Sequence, residues 1–288
     1  MASSTPAPGS QEEKKDHWTT EAYQNAASFV PKLATKIVQW LDPQKDDRIL
    51  DIGCGDGVLD IEFAEIVSQG QGHLHGVDSS PALVQAAQKA ARDKCVEGKA
   101  TFEVLDANEL TSKAGELQSQ RFNKAFSNAA MHWILRPAEK REGFFRGVRE
   151  ALAPGAVFAF EMGGLGNVSE IRAALLMAAG RRVGLDRAQA VDPWFFPDEV
   201  WIRDIMEQQV GGWRVDRIER EWRPTTADVG GVVAWVRIMA AQFIEALPEA
   251  EREGFVKEVV DVLEIVCAKP GGGFMYSYVR LRVLATKI

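Results

Sequence analysis

The chain has 288 residues, of which 46% are hydrophobic and 26% are charged, an ordinary globular composition that is long enough to bury a core. Its formal net charge of −7 argues against nucleic acid as the main partner, because neutralising phosphates requires clustered Lys and Arg. No apolar run approaches the roughly 20 residues that cross a bilayer, so we expect no membrane partner.

The cysteines and the N-terminus indicate where the protein resides. Cys54, Cys95 and Cys267 are odd in number and far apart, a spacing that indicates neither a disulfide framework nor a metal site. A reducing, cytoplasmic location is therefore expected. Residues 1–19 lack the apolar core of a secretory signal and are expected to form a disordered tail before a single domain over 20–288.

Strand and helix patterns alternate between residues 31 and 161. The predicted elements are, in order, helix 31–41, strand Arg48–Ile52, helix Val58–Val67, strand His73–Val77, helix 81–93, strands Thr101–Leu105 and Phe122–Phe126, helix Arg141–Leu152 and strand Ala156–Glu161. This alternation predicts an α/β fold with a mostly parallel sheet and helices on both faces, in a core over about 31–165.

The rest of the chain is mostly helical in pattern. Helices are predicted over 168–183, 196–209, 231–246 and 250–267, and strands over Trp213–Trp222 and Phe274–Ala285. We expect the two strands, over about 213–222 and 274–286, to complete the sheet. The helical segments, about 166–212 and 224–272, are expected to form a lid.

Polar residues end four of the predicted strands. Asp51, Asp78, Asp106 and the pair Ser127-Asn128 all fall at carboxyl ends, where ligands of such sheets bind, so they should converge on one crevice.

The glycine-rich stretch ILDIGCGDG follows the first strand but does not match a pyrophosphate cradle. After Gly53 and Gly55, the third glycine of the dinucleotide fingerprint is replaced by Val58, and a carboxylate, Asp51, precedes the loop. The loop contains no Lys or Arg. It favours a nucleoside-like ligand that carries positive charge. Asp78 then suits a ribose diol through two charge-assisted hydrogen bonds.

Five blocks in this order resemble the class I, Rossmann-like methyltransferases that use S-adenosylmethionine. They are ILDIGCGDG, GVDSS, LDANEL, FNKAFSNAAMHW and LAPGAVFAFE, over about 45–165. The resemblance implies a seven-stranded sheet with an antiparallel last strand, and S-adenosylmethionine as the cofactor. By position, the cofactor-binding residues would be Tyr23, Asp51, Gly53, Cys54, Gly55, Asp78, Ser79, Asp106, Ala107, Asn108 and Asn128. Among these, Cys54 is interpreted as a small filler of the loop rather than a nucleophile.

A finer resemblance concerns the methyl acceptor. The segment AMHW, the helical insertion and ALPEAEREGFVKE before a Tyr- and Arg-rich last strand are similar to the trans-aconitate methyltransferases, which methylate small carboxylic acids. This implies a small-molecule acceptor. The spacing of possible ligands indicates no metal site, and we expect a monomer or homodimer. Carboxylate O-methylation is the leading hypothesis. O-methylation of a phenol or alcohol, S-methylation of a thiol, and a non-catalytic cofactor-binding protein are the alternatives.

Candidate acceptor-site residues are His132 and Trp133 after the fourth strand, and Tyr276, Tyr278 and Arg280 on the last. His132 is the catalytic candidate, as a general base or as a donor to the acceptor; alternatively it is a structural histidine packed on Trp133. A carboxylate is already ionised and needs no base, whereas a hydroxyl does. The last-strand residues are expected either to anchor the acceptor or to form a solvated strand face.

Overall fold

Seven strands form a single sheet in the computed structural model, which describes residues 34–227 and 230–288. The strands are β1 (Arg48–Ile52), β2 (His73–Asp78), β3 (Ala100–Val104), β4 (Phe122–Asn128), β5 (Leu152–Gly163), β6 (Trp213–Thr226) and β7 (Met275–Lys287). Their order is β3-β2-β1-β4-β5-β7-β6. The first five are mutually parallel, and β7 is antiparallel to both of its neighbours. The predicted fold class, with its antiparallel last strand, is confirmed.

Helices cover both faces of the sheet and form a separate layer at one end. The helices are α1 (Thr35–Leu41), α2 (Val58–Val67), α3 (Pro81–Asp93), α4 (Leu110–Ser119), α5 (Met131–Ile134), α6 (Arg141–Ala151), α7 (Ser169–Val183), α8 (Leu185–Ala190), α9 (Glu199–Arg203), α10 (Gly231–Met239), α11 (Ala241–Glu245) and α12 (Glu249–Val266). A π-helix, Asp204–Val210, continues α9. No helix within 34–227 or 230–288 is long and apolar enough to cross a membrane.

Apolar side chains on both faces of the central strands explain the layered core. In β1, Ile49 packs on one face with α2 and α3, while Leu50 and Ile52 pack on the other with α4 and α6. Strands of a parallel sheet that are covered on both faces carry such near-continuous apolar runs. A third apolar cluster joins α7, α10 and α12 and is the core of the helical layer, which we call the lid.

Several predicted boundaries are corrected. The strand predicted to end at Trp222 runs to Thr226, because it pairs with β7 along its whole length. The helix predicted over 196–209 begins only at Glu199, where the Asp198 side chain caps it by accepting the Trp201 N–H at 2.9 Å. The helix predicted over 231–246 is two helices separated at Ala240. The predicted tail over 1–19 lies outside the described residues.

Candidate active site

The loop after β1 turns sharply between the sheet and α2. The amides of Gly53 and Cys54 both donate to the Val77 carbonyl, at 2.8 and 3.1 Å, which ties the loop to the end of β2. A Cβ on Gly53 would lie 2.3 Å from the Cβ of Ala130, and its φ of +78° is left-handed. Around Gly55, with φ +59°, a Cβ would meet nothing within 4 Å. The loop backbone is therefore packed on one side and open on the other.

Carboxylates at the ends of β2 and β3 hold their own loops in place. Asp78 accepts the Gly55 N–H at 3.0 Å through Oδ2 and the Ser80 N–H at 2.9 Å through Oδ1. Asp106 accepts both the backbone and the side-chain N–H of Asn108, at 3.0 and 3.1 Å. The predicted crevice forms at this edge of the sheet, as expected for carboxyl ends of parallel strands.

A pocket opens beside the glycine loop, between the ends of β1, β2, β3 and β4. Eight of the sequence-predicted site residues line it: Gly53, Gly55, Asp78, Ser79, Asp106, Ala107, Asn128 and Trp133. The remaining lining is largely apolar and was not predicted: Val77, Leu83, Leu105, Ala129, Ala130 and Ile134. The lining contains two carboxylates and no Lys, Arg or His, so this pocket favours a ligand with positive charge and hydroxyl groups.

The other predicted cofactor residues lie around the pocket rather than in its wall. Asp51 is buried beneath the loop, and burial raises the pKa of its carboxyl group to about 7. Asn108 donates from Nδ2 to the Ile134 carbonyl at 3.2 Å and so supports the pocket wall from outside the pocket. Cys54 packs against the apolar cluster of α2 and α3, and burial beside acids raises the pKa of its thiol. Tyr23 lies outside the described residues.

Comparisons with known proteins identify the fold and the family. Residues 43–186 match the family model of the methyltransferase domain. The chain is 34% identical over 279 residues to an uncharacterized methyltransferase of Schizosaccharomyces pombe, covering 95% of this chain and 99% of that one. It is 23% identical to the trans-aconitate 2-methyltransferase of an Acidovorax strain, covering 94% and 98%. In structure it is similar to a Bacillus halodurans protein described as a putative methyltransferase, with a TM-score of 0.56 at 11% identity, covering 89% and 99%.

The chain belongs to the methyltransferase domain family. It is an S-adenosylmethionine-dependent methyltransferase, and S-adenosylmethionine is its cofactor. The pocket fits this group. Oδ1 of Asn128 is shielded from solvent and accepts no hydrogen bond from a described residue, so it is available to an N–H donor such as an ammonium group. The open side of Gly55 and the two carboxylates match a nucleoside with a cationic substituent.

Beyond the Trp133 side of the methyltransferase pocket, His132 and Arg280 flank the end of β5. The Gly163 N–H donates to Nδ1 of His132 at 3.3 Å, and Gly163 pairs with Arg280 across the sheet. Burial, together with the nearby Arg280 charge, lowers the pKa of His132 to about 3. The imidazole is therefore neutral, and because Nδ1 accepts, its proton is on Nε2.

An aromatic wall closes this region. The His132 ring lies 5.5 Å from the Trp133 ring and 5.8 Å from the Phe196 ring, between centroids. Trp194 stacks on Phe196, and Trp235 of α10 contacts Trp194, so the segment before α9 and the lid meet over the imidazole. Together these rings form an apolar cluster around the imidazole, in which His132, Trp194 and Phe196 are buried.

The anchor candidates of β7 are buried, and the alternative of a solvated strand face is wrong. Tyr276, Tyr278 and Arg280 are 1%, 6% and 2% exposed, because β7 lies between β5 and β6 and is covered by the lid. The Tyr278 hydroxyl accepts the Trp235 Nε1–H at 2.8 Å. None of the three lines the cofactor pocket.

Two carboxyl groups of this region were missed by the sequence interpretation. Glu161, in β5, lies between Arg280 and Arg282 of β7, with its carboxylate 3.6 and 2.5 Å from their Nε atoms. Asp60, in the first turn of α2, is fully buried, and neither of its carboxyl oxygens accepts a hydrogen bond from a described residue. The sequence signal that could have identified them is a charged residue within an otherwise apolar strand or helix face. Such residues are rarely buried unless they are paired.

Proposed function

We propose that this methyltransferase esterifies a carboxylate group of a small organic acid. Methyltransferase activity on a small molecule is supported by its family. The choice of a carboxylate rests on Arg280: its side chain is 2% exposed, and its Nε donates no hydrogen bond to any described residue, since Glu161 lies 3.6 Å from that atom. A buried cationic N–H without a hydrogen bond is costly, and an anionic ligand would supply one.

The carboxylate nearest to Arg280 is already engaged elsewhere. Glu161 lies 3.6 Å from Arg280 Nε, which is beyond a good hydrogen bond, and 2.5 Å from Arg282 Nε. A third cation, Arg223 of β6, lies 3.4 Å from the same carboxylate. Burial and the charge of Arg280 lower the pKa of Arg223 to about 10, which reflects the crowding of positive charge at this point.

The state of His132 also favours an acceptor that needs no proton removed. With a pKa of about 3, the imidazole is a weak base at neutral pH, whereas a phenol or alcohol requires a base matched to the working pH. Its Nε2–H can instead donate to a carboxylate oxygen. We therefore assign His132 the role of a donor that orients the acceptor, not that of a general base.

The remaining roles follow the pocket geometry. We propose that Asp78 and Ser79 hold the ribose, that Asp106, Ala107 and Asn108 border the adenine, and that Gly53 and Asn128 hold the methionine part. The cofactor, when bound, supplies an already activated methyl group. The protein then contributes alignment of the acceptor by Arg280 and His132, and exclusion of water by Trp133, Trp194 and Phe196.

The experiment is a methyl-transfer assay over matched acids, phenols, alcohols and thiols, followed by mild alkaline hydrolysis of the product, which cleaves an ester but not an ether. For the acid that is turned over, Arg280→Met should raise KM by about 10- to 100-fold, since a charge-assisted hydrogen bond is worth about 1.5–3 kcal/mol. Arg280→Lys should show a smaller increase in KM, because the positive charge is kept.

The matched control is Arg237→Met, which removes an arginine that pairs with Glu253 on the exposed side of the lid. It should leave KM unchanged, and cofactor affinity should stay at the wild-type value in all three variants. Turnover of hydroxyl acceptors alone, or an unchanged KM for the acid in Arg280→Met, would contradict the proposal.

A further inference from the structure

Tyr278 connects the buried guanidinium of Arg280 to the lid. Arg280 lies over the Tyr278 ring, with its Cζ atom 4.9 Å from the ring centroid. At the other end of the same side chain, the Tyr278 hydroxyl accepts the Nε1–H of Trp235, in α10, at 2.8 Å. All three side chains are buried, so both contacts are shielded from solvent. One side chain of β7 therefore bridges the proposed acceptor anchor and a helix of the lid.

The contact between Tyr278 and Arg280 is a cation–π interaction. The two residues are two positions apart in β7 and so lie on the same face of the sheet. A guanidinium within about 6 Å of an aromatic centroid is attracted to the negative face of the ring, most strongly where both groups are desolvated. The nearest acid, Glu161, hydrogen-bonds Nε of Arg282 and not Nε of Arg280. The Tyr278 ring is therefore a contact that fixes where the Arg280 guanidinium lies.

Trp235 in turn fixes the Tyr278 side chain. The Trp235 ring packs against Trp194 and Tyr276, with centroids 6.0 and 5.8 Å away, and belongs to the apolar cluster of the lid. An indole N–H only donates, and its hydrogen bond is directional, so it restricts where the phenol ring can point. The packing of α10 on β7 thus sets the position of the ring that contacts Arg280.

We propose that Tyr278 is a positioning residue, held by Trp235 of the lid, that places the Arg280 guanidinium for the carboxylate of the acceptor. Through this contact the lid contributes to acceptor affinity without Trp235 touching the acceptor. The role rests on the proposed function, in which Arg280 binds that carboxylate. Tyr278 acts through Arg280 rather than as an anchor itself, because its hydroxyl and a face of its ring are already engaged by protein groups.

The expected effect is on KM, because a guanidinium that is held in place before binding does not have to be ordered when the acceptor binds. Tyr278→Leu removes the ring and should raise KM for the acid by about 3- to 30-fold, the range of a desolvated cation–π contact. Tyr278→Phe keeps the ring and should raise KM less. The value of kcat at saturating acid should stay near that of wild type, since the lost interaction is common to the ground state and the transition state.

The test is a double-mutant cycle on the full chain, with KM measured for the acid that wild type esterifies. The four proteins are wild type, Tyr278→Leu, Arg280→Met and the double variant. If Tyr278 acts through Arg280, the double variant should have the KM of Arg280→Met alone. A purely structural role of Tyr278 predicts instead that the two increases multiply, and that result would overturn the proposal.

Two matched controls test for general loosening of the fold. Phe255 is buried in the same apolar cluster of the lid and has its own guanidinium partner, Arg182, with Cζ 5.7 Å from the ring centroid. Trp213 is buried at the start of β6, and its Nε1 donates no hydrogen bond to a described residue. Phe255→Leu and Trp213→Phe should both keep the wild-type KM. An increase in Phe255→Leu as large as that in Tyr278→Leu would contradict the positioning role.

Milder variants decide the matter if Tyr278→Leu does not fold. Tyr278→Phe and Trp235→Phe remove the same hydrogen bond from its two ends. Each should raise KM by a similar factor, and the double variant should be no worse than either single variant. A wild-type KM in both single variants would refute the positioning role.

The same measurements distinguish this role from the proposed function. A product that is not an ester, or an unchanged KM in Arg280→Met, refutes the carboxylate acceptor and the positioning role together. A raised KM in Arg280→Met with a wild-type KM in Tyr278→Leu refutes the positioning role alone.

Discussion

Replacing Glu161 by Gln should destabilise the protein strongly. The Glu161 carboxylate is 1% exposed and lies 2.5 Å from Arg282 Nε, 3.4 Å from Arg223 Nη1 and 3.6 Å from Arg280 Nε. Gln keeps the shape of the side chain and removes the charge. Removing one partner of a buried ion pair costs about 3–5 kcal/mol, because the other charge is left uncompensated.

The structure places the expected loss near the lower end of that range. Arg282 keeps two further carboxylates, Glu219 at 2.9 Å and Glu221, which partly balance it after the substitution. Arg280 has no such second acid among the described residues. We therefore expect a loss of about 3 kcal/mol in the free energy of unfolding.

Urea-induced unfolding, followed by far-UV circular dichroism, measures this loss. The control is Glu199→Gln, which removes a half-buried partner of Arg220 and should cost less than about 1 kcal/mol. A Glu161→Gln protein within about 1 kcal/mol of wild type would refute the reasoning, since a buried cluster of arginines would then not need its central carboxylate.

Two further predictions concern the pocket and the imidazole. Asp78→Ala should weaken S-adenosylmethionine binding roughly 100-fold in calorimetry, because two hydrogen bonds from hydroxyl groups to a carboxylate are worth about 1.5 kcal/mol or more each. The control variant Asp93→Ala, at an exposed position, should bind with wild-type affinity. Wild-type affinity in Asp78→Ala would contradict the assignment of this residue to the ribose. His132 has a pKa of about 3 when folded and 6.5 as a model value, so the unfolded chain binds more protons below pH 6.5 and stability falls as the pH drops. Between pH 6 and pH 5, protonation linked to His132 should lower the free energy of unfolding of wild type by about 1.2 kcal/mol. In urea unfolding, His132→Gln should not show this loss, whereas the control His73→Gln should largely retain it. Equal pH dependence in wild type and His132→Gln would contradict the low pKa.

The α/β fold class and the position of the pocket were accessible from sequence because both follow from short-range patterns. Alternating strands and helices constrain the sheet to parallel pairing, and the topology brings the strand ends to one edge. Asp78 and Asn128 each end a strand, Asp106 follows β3 by two residues, and the three line the pocket together. The boundaries at Thr226 and Glu199 were missed, since pairing with β7 and a capping aspartate decided them.

The acceptor side was less accessible because its contacts join distant parts of the chain. Alternation in β7 placed Tyr276, Tyr278 and Arg280 on one face, but burial depended on β6 and the lid covering that strand. The pairing of Glu161 with Arg282 is a cross-strand register between β5 and β7, 121 residues apart. No local pattern specifies such a register.

The sequence by itself determined the class of fold, the glycine loop and the acids at the strand ends, because hydrophobic period and turn chemistry act over a few residues. Tertiary structure alone decided the charge states. The raised pKa of Asp51, the neutral state of His132 and the unpartnered Nε of Arg280 all depend on burial and on which charges come within a few ångströms. Those are properties of packing, and packing brings together residues that the chain keeps far apart.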